Sequence, residues 1–498
     1  MSAPVTSARP FRSAPSARPA SSPPPPSPTS SPIPSPSSRS ETMARFIAHL
    51  VTISVGTVVY ALSLHWVYAQ LVTVQFAYGG FTYRAASPQL TIATIALACA
   101  IATTLPRRPS TVSHVVLWVL FAVGVAPAVL MSAYTGYLSA SEALGASATV
   151  AAAFGIATLG TRLLDARAAA NGDAPPSPFA PRPGASPRRR VPPGTVFWSI
   201  CGLHSAMTYG LMAATTGISL TFVALDDVYD VRAAYREETH AYGLLGYLLS
   251  SQANVINTAI MARGTTRRNV PLIAVGALGQ LALYSGTGFK TILFSFPAVL
   301  LVALATHVSR GRVRAPGLAY VVGPVVLMVA AALADELQGG LLWTSLFARR
   351  FLITPGLLTS VYVDFFDENP PAMFGRSFLR WWVDSPYDRS IALEVGQYLQ
   401  PGGQVAANAN LFADGFANFG HVGVMGTGVA LLALLRFVDW AARGLPLTAA
   451  AMVMLMPSIT LTNTALTTAM LTHGLALGTV LLAVAPRSGW YRPGGDSG

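Results

Sequence analysis

Arg349 and Arg350 stand side by side in a chain that is 52% hydrophobic and only 10% charged. They open a run of five arginines completed by Arg376, Arg380 and Arg389, interleaved with nine carboxylates from Asp335 to Asp414 and with many Trp, Tyr and Phe residues. Planar guanidinium forks meet phosphate oxygens two at a time, and aromatic faces attract cations and ring-shaped ligands. This stretch therefore has the composition of a site for an anionic, ring-bearing ligand. The same charges would also pair with one another in a folded cap. A second polar segment, 225–243, carries Arg232 and Arg236 four residues apart, on one side of any helix, among Asp226, Asp227, Asp230, Glu237 and Glu238. Its arginines suit a phosphate or diphosphate, and one carboxylate or His240 would take a proton from an incoming hydroxyl.

Other chemistries lack their residues. The chain has no P-loop and no dinucleotide fingerprint, and the glycine runs GVMGTG and YSGTGF lie in or beside apolar stretches, where small residues serve helix packing. His421 and His473 have no second ligand at metal spacing, so no metal site is expected. Cys99 and Cys201 both fall inside apolar runs and read as inert buried thiols. No cofactor is implied.

The elements that must position these residues are membrane helices. A mean hydropathy of +0.50 and repeated apolar runs of about twenty residues indicate an all-α polytopic membrane protein, because lipid leaves no backbone polar group unpaired. Twelve spans are expected, near 47–71, 88–105, 113–134, 142–164, 195–224, 241–261, 270–285, 289–307, 316–334, 420–438, 446–464 and 467–485. Residues 1–42, rich in Pro and Ser, are expected to form a disordered cytoplasmic tail. The transmembrane domain is expected over 43–490, with outer segments at 225–240 and 335–420, a flexible inner loop at 165–193, and a short tail at 491–498. With the N-terminus inside, 23 of the 32 basic residues and 5 of the 20 acidic ones face the cytoplasm. That distribution follows the positive-inside rule and puts both termini in the cytoplasm. Of the 32 basic residues all but Lys290 are arginine, which reads as a compositional bias, so the net charge of +12 does not imply nucleic acid as a partner.

DDVYDVRAAYRE (226–237), FKTILFSFPAVLLVAL (289–304), ARRFLITPGLLTSVYVDFF (348–366) and above all NANLFADGFANFGHVGV (408–424) together resemble the oligosaccharide repeat-unit polymerases, the Wzy-type O-antigen polymerases. The resemblance covers roughly 195–440. It implies a GT-C-like enzyme in the cytoplasmic membrane, its one long outer loop containing short helices. Such an enzyme joins undecaprenyl-diphosphate-linked repeat units into surface polysaccharide at the outer face. Arg232, Arg236, Arg349 and Arg350 would bind diphosphate, and Asp226, Asp227 or Asp414 would act as base. Tyr235, Tyr362, Asn410, Asn418 and His421 would contact sugar or acceptor. The substrate is the lipid-linked oligosaccharide, membrane lipid surrounds it, and a chain-length regulator is a compatible partner. Some members carry an arginine followed after ten residues by glycine in two outer loops; Arg232 and Gly243 fit, and the long loop has no second copy. An O-antigen ligase or other polyprenyl-dependent glycosyltransferase uses the same donor, and a lipid-linked oligosaccharide flippase would share the many spans.

The charge distribution makes a direct prediction. Green fluorescent protein fused to either terminus will fluoresce, and a cysteine placed at Gly340 will react with a membrane-impermeant maleimide in intact cells. Labelling only after lysis would reverse the assigned orientation.

Overall fold

The computed structural model describes residues 36–171, 193–225, 228, 231, 243–309, 317–377, 380–403 and 405–490. Two compact units are distinguished, Met1–Ile47 and Ala48–Gly498. In the first, the described residues form the opening of helix Pro36–Val67. Helix therefore begins within the tract expected to be unstructured, in a run (SSRSETMARF) richer in helix formers than the prolines before it.

The second unit consists, among its described residues, of helices joined by turns and extended segments, with no strand. Each of the twelve expected spans overlaps a helix, but the expected span 195–224 is helical only as far as Ala214, and the helices differ in length. Among the described residues six helices are long and apolar enough to cross a membrane: Met43–Gly79, Val112–Met131, Ala140–Ala170, Val270–Thr287, Leu318–Gln338 and Leu411–Ala442. A seventh crossing is counted if Leu466–Thr472 and Leu475–Val484, bent by 57° at a break, form one span. Pro88–Thr104, Lys290–Thr306 and Leu447–Thr460 are apolar but shorter. The break between 472 and 475 falls at Gly474, whose φ of +87° suits glycine.

Val112–Met131 is the hub, with every residue buried by protein. A π turn at Phe121–Val125 interrupts its α geometry, and Tyr60 donates its hydroxyl to the Ala122 carbonyl at 2.7 Å. At one end of the hub, Asp439 accepts from the amide and the hydroxyl of Ser113 (2.9 and 2.6 Å). His114 Nε2 lies 2.9 Å from Asp165, which also pairs with Arg436 at 2.5 Å. Asp165 is thus part of helix Ala140–Ala170, which runs past the expected start of the inner loop; residues 172–192 lie outside the described residues. Helix Ala140–Ala170 is rich in Ala and Gly and meets Leu411–Ala442 closely, a Cβ on Gly428 falling 2.3 Å from the Ala153 carbonyl oxygen.

Leu411–Ala442 contains a sharp fold. Phe419 and Gly420 leave helical geometry, Gly420 at φ 57° and ψ −146°, a region open essentially to glycine alone. The two limbs pack so tightly that a Cβ on Gly423 would lie 1.9 Å from the Gly415 carbonyl oxygen. The expected outer loop is less peripheral than its polarity implies. Helix Thr354–Glu368 is buried from Pro355 to Val363 and again at Phe365 and Phe366.

Gly423→Ala will lower the thermal midpoint of the detergent-solubilised protein, at a cost of about 1–3 kcal/mol. Gly426→Ala, with open space around it, will leave the midpoint unchanged. Equal midpoints for the two variants would refute the close crossing of the limbs.

Candidate functional site

Helix Leu318–Gln338 stops at Gly339, whose φ of +66° and whose N–H, donated to the Asp335 carbonyl, form a left-handed cap. The Asp335 side chain then turns to the next helix, accepting from the amides of Trp343 (2.9 Å) and Thr344 (2.6 Å). One residue thus closes one helix through its carbonyl and opens the next through its carboxylate. Trp343 Nε1 donates to Gln338 Oε1 at 2.9 Å across the same turn. The helix so anchored, Thr344–Ile353, has π geometry throughout, and the Arg349 carbonyl accepts from Thr354 Oγ1 at 2.8 Å.

Arg349 and Arg350 of this helix line a cavity of about 500 Å³ together with Lys290, Asp335, Gln338 and Ser345. Phe76, Tyr78, Leu341, Leu342 and Leu346 supply the rest of the wall. Arg349 donates to Ser345 Oγ at 2.5 Å, and its guanidinium lies 4.1 Å from the Phe76 ring centroid and 5.8 Å from that of Phe81. Packed against those rings it is held in one orientation. Lys290, 8% exposed, is the first residue of helix Lys290–Ser309. A cation there opposes the helix dipole, whereas an anion beside it would be favoured by both. Three cations face one carboxylate already engaged with two amides, so the cavity is electrostatically prepared for an anion. Its leucines and aromatics make one side apolar.

The remaining arginines of the long loop serve the loop itself. Arg376 donates from Nε to the Tyr387 carbonyl at 2.7 Å, Arg389 pairs with Glu394 at 3.2 Å, and Arg380 stacks on Trp381 at 4.8 Å. Both meanings of the arginine run are thus realised, in different residues.

Of the residues singled out in the sequence, Arg349 and Arg350 are brought together at the cavity. Asp226, Asp227, Arg232, Tyr235 and Arg236 lie outside the described residues. Tyr362, expected at a sugar, is instead 1% exposed and donates to the Ala407 carbonyl at 2.7 Å. Asn410, likewise expected at a sugar, caps the following helix through the amides of Phe412 and Ala413, and donates to the Pro355 carbonyl and Thr359 Oγ1. Asn418, 3% exposed, accepts from the Phe374 amide at 2.6 Å and donates to the Asp414 carbonyl and carboxylate at 2.8 and 3.3 Å. Asp414 itself is half-buried and is not among the residues lining the cavity. His421 lies elsewhere, bonded to Thr149 at 2.8 Å in a shallow apolar hollow with Ala148, Ala152, Val422 and Met425.

Lys290, Asp335, Gln338 and the aromatics Phe76 and Tyr78, at the end of helix Met43–Gly79, escape a sequence reading as site residues, because their meeting is tertiary. The one available signal was Lys290, the only lysine in the chain, at a glycine-flanked turn. Beside this loop, Leu399 packs on Gly80 and the neighbouring Tyr398 donates to Asp364 at 2.6 Å. That carboxylate, holding the phenolic proton, pushes Tyr398 up to about 12. Among the described residues, no three His, Cys, Asp or Glu side chains gather to hold a metal ion.

No family model, no curated protein and no solved structure matches this chain.

Asp335→Ala removes both acceptors from the first amides of the arginine-bearing helix. It will lower the thermal midpoint, by about 1–2 kcal/mol in stability, and Asp335→Asn, which keeps one acceptor, will fall between it and the native protein. An unchanged midpoint for Asp335→Ala would remove this residue from the support of the site.

Proposed function

We propose that this chain is a membrane glycosyltransferase that polymerises undecaprenyl-diphosphate-linked oligosaccharide repeat units into surface polysaccharide. The observation that carries the reading is the cavity in which Lys290, Arg349 and Arg350 converge beside an apolar and aromatic wall. A polyprenyl diphosphate has the matching anatomy, an anionic head joined to a hydrocarbon tail. The resemblance of segments 226–237, 289–304, 348–366 and 408–424 to the repeat-unit polymerases supports it from the sequence side. The finer expectations belong to the same proposal: twelve crossings, a GT-C-like arrangement, residence in the cytoplasmic membrane, and both termini in the cytoplasm.

In this reaction the bond between the donor's anomeric carbon and the diphosphate oxygen breaks, and a bond to the acceptor hydroxyl oxygen forms. The acceptor proton passes to a base, and the electron pair leaves with the lipid diphosphate. Negative charge grows on the departing oxygens, where Lys290, Arg349 and Arg350 stabilise it. Because Arg349 is already clamped against Phe76, little reorganisation accompanies departure. Asp335, committed to two amides, holds the arginine-bearing helix in place and is not the base. Asp226, Asp227 and Asp414 remain the candidates for that role.

Polysaccharide chain length in a deletion strain tests the proposal. Deletion will leave single lipid-linked repeat units, and native protein will restore long chains. Arg350→Ala, Arg232→Ala and Lys290→Gln, each present in the membrane at native levels, will fail to restore them, with turnover down about a hundredfold per lost donor. Repeat units trapped on the cytoplasmic leaflet would instead identify a flippase. Full-length chains left unattached to their final acceptor would identify a ligase, and long chains persisting in the deletion strain would refute the proposal.

A further inference from the structure

Helix Asn257–Arg267 carries Arg263 and, one turn later on the same face, Arg267. Arg263 is only 8% exposed, and its buried Nη1 has no hydrogen-bond partner. Its guanidinium lies over the Trp490 ring, 4.7 Å from the centroid. That indole is 4% exposed, donates to the Pro486 carbonyl at 2.5 Å and meets Phe197 edge-on. Gly489, at φ +71°, lets the chain pass beside the cation, since a Cβ there would sit 3.4 Å from Arg263 Nη2.

Among the described residues no carboxylate answers this charge. Among the described residues no ion pair includes Arg263, and the charge that acts on it is the like charge of Arg267. The nearby Arg487 directs its nitrogens to the carbonyls of Leu482, Ala441 and Ala483. A desolvated guanidinium without a counter-charge is strongly unfavourable. Stacking on indole and a place at a helix C-terminus offset part of that cost, but neither offers Nη1 an acceptor. A phosphate group does both, answering the charge and accepting from the fork.

The location separates this site from the first cavity. Arg268 and Lys290 flank the two ends of helix Val270–Thr287, whose 18 residues span about 27 Å. We propose that Arg263, above the Trp490 indole, and the exposed Arg267 one turn on bind a phosphate-bearing anion at the end of the bundle opposite the Lys290 cavity. The anion is either a lipid headgroup or free phosphate, and the chemistry of recognition is common to both.

The test uses the full chain in uncharged detergent at constant ionic strength, titrated with inorganic phosphate and, separately, with phosphatidylglycerol against phosphatidylcholine. The thermal midpoint and tryptophan fluorescence are followed, with Trp490→Phe to assign the optical signal. The midpoint will rise with at least one anion. Response to phosphatidylglycerol alone identifies a headgroup site, and response to inorganic phosphate identifies the phosphate itself as sufficient. Arg263→Met will shift the half-maximal concentration about tenfold or more, while Arg263→Lys will retain part of the response. Arg263→Met replaces an uncompensated charge by an apolar chain and is expected to fold. No response to either anion, or an undiminished response in Arg263→Met, overturns the proposal.

Discussion

Every side chain from Val112 to Met131 is enclosed by protein, so lipid contributes nothing to solvating this helix and side-chain packing must do all of it. That requirement organises the rest. Helices rich in small residues approach closely, as at Gly428 against Ala153. Gly356, on the partly polar stretch 335–420, has no room for a Cβ beside the Pro127 carbonyl. The hub's end is fixed by hydrogen bonds from Ser113 and His114 to Asp439 and Asp165, which lie on two other helices. Three helices are thereby held in one register by few polar contacts, while their apolar lengths remain free to fill space.

Helix positions were legible because an apolar run of about twenty residues has few other ways to satisfy its backbone in lipid. Their interruptions were not. The π turns at Tyr68–Val72, Phe121–Val125 and Gln252–Ile256 lie within apolar sequence that reads as uninterrupted span. They depend on partners such as Tyr60, 62 residues away from the carbonyl it satisfies. Thr354–Glu368 misled for the opposite reason: its polar flanks place it in a loop, while its middle is as buried as the hub. Arg349 and Arg350 stood out because charges are scarce in this chain. Tyr362 and Asn410 looked equally suited to a ligand, since a polar side chain that bridges two buried segments and one that meets a sugar have the same appearance in sequence.

The motif that most resembles the polymerases, 408–424, has a mechanical explanation in this protein. Asn410 starts its first limb, Asn418 fastens it to the Phe374 turn, Gly420 reverses the chain, and Gly415 and Gly423 let the limbs touch. Its spacing is therefore explained by the fold it makes, and the anionic chemistry falls to basic residues elsewhere. A motif shared for such a reason travels with an architecture. The chemistry assigned to that architecture has to be carried by the site, here by the cavity beside Thr344–Ile353.

Lys290 is the chain's only lysine, and it lies inside that cavity rather than on the surface. The protein consequently displays one side-chain amine, and that amine sits among the groups that would grip an anion. Acylating or aldehyde reagents, which on most proteins modify a scatter of surface positions, would here find a single internal address. Occupancy of the cavity and reactivity of that amine become two readings of one event, so the molecule carries its own reporter.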